Sequence, residues 1–208
     1  QTNKETKMTF EFDEGGNTGD TAIGPFLNWH AQETRDGAIP SRSFSVRDEN
    51  GEREDVTAKM KKGVVFDLDT LKTGWCFSDG TPGVAPEWVF NDTPARFNVP
   101  PPADRGTERW KKGHTIRVAI GKDQAATWSQ AGAGSWAGLV HLMKAVKADG
   151  GDGECVVAAL SDVETITFKK GGTAAPLFTI KKWSDRPDCL KGDAAEAPVV
   201  ADEDEDDF

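Results

Sequence analysis

Apolar residues alternate with polar ones in short runs along much of the 208-residue chain. Val64, Phe66 and Leu68 fall on one face of a period-two run, and Ile116, Val118 and Ile120 do the same with Arg117 between them facing the other way. The pattern predicts strands over 7–12, 24–31, 41–48, 63–69, 74–79, 87–90, 114–120, 154–160, 163–170 and 175–183. One segment carries helical spacing instead. Trp136, Leu139, Val140, Met143 and Val146 recur at three- and four-residue intervals, with Ser135 as the expected N-cap and Gly150-Gly151 as a stop.

Glycine and proline supply 33 of the 208 residues and are spread through the body, which leaves little room for further long helices. The stretches 79–86 and 98–106 read as excursions from the sheet. Short strands, long loops and one helix ahead of the last strands predict a mainly β fold: a closed or partly open barrel of the OB type, with a sandwich as the alternative. From 192 onward Gly, Ala, Pro and acids predominate, a composition that buries no core and predicts a disordered tail. The expected organisation is therefore one domain over 1–191 and an acidic tail over 192–208.

The formal charge of -10 changes meaning when it is located. The last sixteen residues hold eight acids and no base, which leaves 25 basic against 27 acidic side chains in the other 192. The body is thus near neutral, and its acidity does not exclude nucleic acid. Cys76, Cys155 and Cys189 are odd in number and widely spaced, so they predict neither a disulfide framework nor a zinc site. No stretch approaches the roughly 20 apolar residues of a membrane span, and the expected location is intracellular.

Catalytic groupings are sparse. The string VVFDLDTL places Asp67 and Asp69 at the end of an apolar strand, as in the nucleophile motif of haloacid dehalogenase-type phosphatases. That family spaces the following Thr one residue further on, and the alternating strands and helices it needs are missing. The alternative is an edge strand with a polar outward face. His30, His114 and His141 have no spacing suited to a metal, so no cofactor is expected.

Seven tryptophans and no tyrosine make a more informative pattern, because several of the indoles stand beside cations. Trp110 and Lys112 lie two apart, as do Lys181 and Trp183, and on a strand each pair shares a face. An exposed ring next to a positive charge suits a single strand, with a base on the ring and a phosphate on the cation. The expected DNA-binding residues are Trp75, Phe77, Trp110, Lys112, Arg117, Lys181 and Trp183, with Lys61, Lys62 and Arg47 adding charge. Trp136 belongs by spacing to the helix's apolar stripe.

With its ADEDEDDF terminus, the chain resembles the single-stranded DNA-binding proteins of bacteria and tailed phages, which join an OB-fold to an acidic tail ending in phenylalanine. Asp207 stands where bacterial members usually have proline, so the phage replication type is nearer. The resemblance implies DNA replication or recombination in the cytoplasm of an infected bacterial host. It also implies that Asp202, Glu203, Asp204, Glu205, Asp206, Asp207 and Phe208 dock on a polymerase, primase, helicase or nuclease, and compete with DNA for the protein's own groove. Homodimerisation is left open. The rival classes are a metal-dependent phosphatase or nuclease centred on Asp67 and Asp69, and a structural or adaptor protein.

Overall fold

The computed structural model describes residues 25–47, 52–79, 84–94, 97, 99–103, 106–169 and 171–191. The expected strand at 7–12 and the acidic segment 192–208 lie outside these residues. Nine strands form one strongly curled, half-barrel sheet in a mainly β chain. They are β1 (Phe26–His30), β2 (Ser43–Arg47), β3 (Arg53–Asp55), β4 (Val64–Phe77), β5 (Glu87–Phe90), β6 (Lys111–Ala119), β7 (Ala125–Ala131), β8 (Cys155–Phe168) and β9 (Gly171–Ser184). Helix α1 (Thr57–Lys62) precedes β4, and α2 (Ala133–Asp149) separates β7 from β8.

Strand order runs β3-β2-β1-β7-β6-β4-β8-β9, with β5 paired to β4 off that path. Strand β4 organises the molecule: its first half pairs with β8, its second half with β5, and β6 runs along both. A register shift between Asp67 and Lys72 bends it where those partners change. Two separate strands expected at 63–69 and 74–79 are therefore one. The same holds for β8, expected in two pieces and found continuous over fourteen residues.

The core lies on the concave side. Phe44, Phe66, Trp128 and Phe178 are buried and meet ring to ring, with Phe66–Phe178 centroids 5.4 Å apart and nearly perpendicular. Helix α2 closes over them with Leu139 and Leu142. It seats tightly because Gly134 and Gly138 face β9, where a Cβ would come within 2.4 Å of the Ala174 carbonyl and 2.5 Å of Pro176. Its N-cap is Gly132 rather than Ser135; the serine sits inside the first turn, buried, and donates back to the Gly132 carbonyl. Gly150 ends the helix in the left-handed conformation at φ 67°, as its sequence position predicts.

Candidate nucleic-acid interface

The aromatic side chains outside the core gather at one end of the sheet, where β4, β5 and β6 run together. In antiparallel register Trp75 lies opposite Lys112 on one side and Val89 on the other. Directly paired residues share a face, so Trp75 and Lys112 project from the same side of the sheet, and Phe77, two residues on, joins them. The loop after β5 brings Phe97 onto the Trp75 ring, with centroids 4.9 Å apart, and α2 contributes Trp136, 5.4 Å from Phe97. Trp75 holds that loop by donating its indole N–H to the Val99 carbonyl at 2.7 Å.

Cations accompany these rings. The Lys112 ammonium lies 4.6 Å from the centre of Phe97, 5.8 Å from Trp75 and 6.0 Å from Trp136. The Arg109 guanidinium lies 4.8 Å over Phe77. An apolar groove of about 610 Å³ leads away from Phe97 and Trp136 between β4 and α2, past Leu68, Leu71 and Met143 to Lys144 and Lys147.

The opposite face of the same strands carries a second aromatic group. Trp88 and Phe90 of β5 stack with planes within 6° and centroids 5.4 Å apart, and the Lys72 ammonium lies 5.8 Å from Phe90. Their floor is glycine. Gly74 lies opposite both Phe90 and Gly113, and a Cβ on Gly113 would meet the Trp88 ring at 2.8 Å. The two indole and phenyl faces are half-buried, leaving part of each ring accessible. Neither residue stood out in the sequence, although a Trp-x-Phe spacing on a short strand was the available signal.

Several expected contact residues sit elsewhere. Trp110 is 5% and Phe77 6% exposed, and they pack against each other at 5.5 Å, so neither offers a face to a base. Trp110 is extended just ahead of β6 and lies on the face of Lys112, as its spacing predicts, but packing on Phe77 buries it there. Trp183 turns inward for a different reason. A register shift in the β8–β9 pairing makes Lys181 the extra residue, which returns Trp183 to the face of Ile180, against the core. There it covers Gly151 and Gly153 and donates its N–H to Asp149 at 2.6 Å, while Lys181 stays exposed.

Arg117 is committed to the chain's own backbone, donating to the carbonyls of Leu190 at 2.9 Å and Cys189 at 3.4 Å. Arg47, on β2, is exposed but has β1, β7 and β6 between it and β4, and the exposed Lys61 and Lys62 lie on α1, which packs on β8 and β2 and enters β4 at the end away from Trp75. On one face the structure therefore brings together Trp75 and Lys112 from the expected set with Phe97 and Trp136, while Trp88, Phe90 and Lys72 form a separate group on the opposite face.

Asp67 and Asp69 meet an arginine. Asp67 is fully buried in the central strand β4, not on an edge, and accepts two hydrogen bonds from Arg186 at 2.8 and 3.0 Å. The same guanidinium bonds Asp69 at 2.8 Å and lies 3.8 Å from Glu154. These hydrogen bonds, that to Asp67 foremost, hold Arg186 firmly in its charged form. Among the described residues no group of three or more His, Cys, Asp or Glu side chains is arranged to hold a metal ion. Burial pushes the Cys76 and Cys155 thiols up to about 11, far from the thiolate form a nucleophile needs.

No helix among the described residues is long and apolar enough to cross a membrane. No family model matches the chain, and no curated protein or solved structure matches it either.

Proposed function

We propose that the protein binds single-stranded DNA without base preference, through the β4–β5–β6 end of the sheet, and has no catalytic activity or cofactor of its own. The observation that carries the reading is the pairing of accessible rings with a cation there, Lys112 with Trp75, Phe97 and Trp136 on one face; Lys72 with Phe90 repeats the pairing on the opposite face. Rings stack on any base and ammonium groups meet any phosphate, so such a surface follows a strand without reading it. Each stacked base contributes about 1–3 kcal/mol.

The order of elements supports an OB-type barrel. The β4-β6-β7 meander is followed by α2 and then by the β8–β9 hairpin, whose β8 returns antiparallel to β4. β1, instead of the last strand, lies parallel to β7. In this reading the acidic segment Asp202–Asp207 with Phe208 recruits replication or recombination enzymes of a phage-like system, and competes with DNA when unengaged. An apolar ring on a charged tether gives one anchor and a fast, salt-sensitive encounter.

Tryptophan emission titrated with oligothymidine at several salt concentrations tests the reading. Quenching at low salt that weakens progressively as salt rises is the expected result. No quenching at low salt would remove it.

A further inference from the structure

Trp75, Phe97 and Trp136 do not form a flat platform. Trp75 meets Phe97 at 89° and Phe97 meets Trp136 at 82°, so the three rings enclose a corner, and the Lys112 ammonium lies in it within 6.0 Å of all three centroids. A base entering that corner meets a cation already there. Lys112 thus occupies aromatic surface as well as adding charge to it.

We infer that Trp75, Phe97 and Trp136 form a base-binding subsite that the Lys112 side chain closes, and that a phosphate of the incoming strand opens it by drawing the ammonium away. This rests on the single-strand reading of the same surface. Lys112 is exposed, and its four-carbon stem allows the head group to swing from the rings to a phosphate without moving the backbone. The rings are held more firmly than the lysine. Trp75 is tied to Val99, and the start of the loop carrying Phe97 is held by Asn91, whose amide donates to the Thr73 carbonyl at 3.0 Å. The exchange trades a cation–π contact for a charge-assisted hydrogen bond to phosphate and leaves a ring-lined space for the base.

The consequence is selectivity by chemical class. A ligand needs an anion to open the subsite and a flat ring to fill it, and a nucleotide chain has both. An uncharged aromatic ligand must displace the ammonium unaided, at a cost comparable to a tenfold loss of affinity, or about 1.4 kcal/mol.

Two thymidine octamers separate the roles, one with ordinary phosphodiester linkages and one with uncharged methylphosphonate linkages. Both are titrated against wild type and Lys112→Ala at one low salt concentration, reading tryptophan emission. Wild type is expected to bind the phosphodiester octamer and to bind the neutral one weakly. Lys112→Ala should bind the neutral octamer about tenfold more tightly than wild type does, while its affinity for the phosphodiester falls. If the neutral octamer binds both proteins equally, Lys112 is only a phosphate contact and the inference is overturned. If wild type fails to bind the phosphodiester octamer, the single-strand reading itself falls, and the inference with it. Should the alanine variant prove unfolded by circular dichroism, Lys112→Gln, which keeps much of the aliphatic stem, is put to the same comparison with the same outcomes.

Discussion

Replacing His114 with leucine should flatten the acid side of the stability profile. His114 lies on β6 opposite Thr73 and Gln130, is fully buried, and sets its ring edge-on to Trp128 with centroids 4.4 Å apart. Neither ring nitrogen has a hydrogen-bond partner among the described residues. Burial lowers its pKa from the ordinary 6.5 to about 3. The unfolded chain therefore binds a proton that the folded one refuses between those two values, so stability is full above about pH 6.5 and falls as pH drops. At 1.36 kcal/mol per pH unit, the loss by pH 5 is about 2 kcal/mol, and it approaches about 5 kcal/mol near pH 3. Urea unfolding followed by far-ultraviolet circular dichroism at pH 7.5 and pH 5 measures it, as the difference between wild type and His114→Leu. The lowered pKa of His30 acts in the same direction but is present in both proteins. At pH 7.5 the variant should be no less stable than wild type, since it removes two unpaired nitrogens whose burial costs about 1–3 kcal/mol each. A gap between the two proteins that stays constant from pH 7.5 to 5 would refute the reasoning, because it would mean that the buried ring keeps its proton.

Arg186→Ala should destabilise the fold by about 3 kcal/mol, since it leaves the buried Asp67 carboxylate without its counter-charge; thermal melts of this variant and of the double variant with Asp67→Asn, which should recover part of the loss, check it. Trp88→Ala should weaken oligothymidine binding by about 1–3 kcal/mol without changing its salt dependence, measured by fluorescence anisotropy of a labelled strand. Gly74→Ala should disturb β5, because its Cβ would lie 2.2 Å from the Val89 carbonyl oxygen; hydrogen exchange at Val89 and Phe90 should accelerate. Deleting residues 193–208 should tighten DNA binding at low salt, and a fall in affinity would count against competition by the acidic segment.

What the sequence made legible followed from unbroken periodicity. The run at 87–90 is β5 to the residue, and the helical stripe from Trp136 to Val146 lies within α2. Legibility failed where the backbone leaves its period. In β4 the register shift near Thr70 hid the continuity of one long strand, and in β9 the extra residue at Lys181 reversed the side on which Trp183 lies. α1 was missed because six residues are too few to show a helical stripe, although Asp55 accepting the Thr57 N–H marks its start. β7 was missed for want of large β-branched residues: Ala125-Ala126-Thr127 reads as weak strand, and its pairing with β6 and β1 decides it. The site was half legible. Trp75 and Lys112 are neighbours only across strands, and Phe97 and Trp136 reach them from a loop and a helix, so their meeting depends on tertiary contacts that spacing does not encode.

The bend in β4 has a bearing on how this protein tolerates change. Upstream of it, Val64, Phe66 and Asp67 belong to the core and its ion pair; downstream, Lys72, Gly74 and Trp75 belong to the aromatic surface. β8 pairs only before the bend and β5 only after it, while β6 runs along both halves and Leu71 beyond the bend still joins the core. The freedom to vary therefore rests with the outward positions, and a library at Lys72, Trp75, Trp88 and Phe90 that keeps Gly74 and the buried Phe77 could alter what the surface holds while the scaffold is left to fold as before.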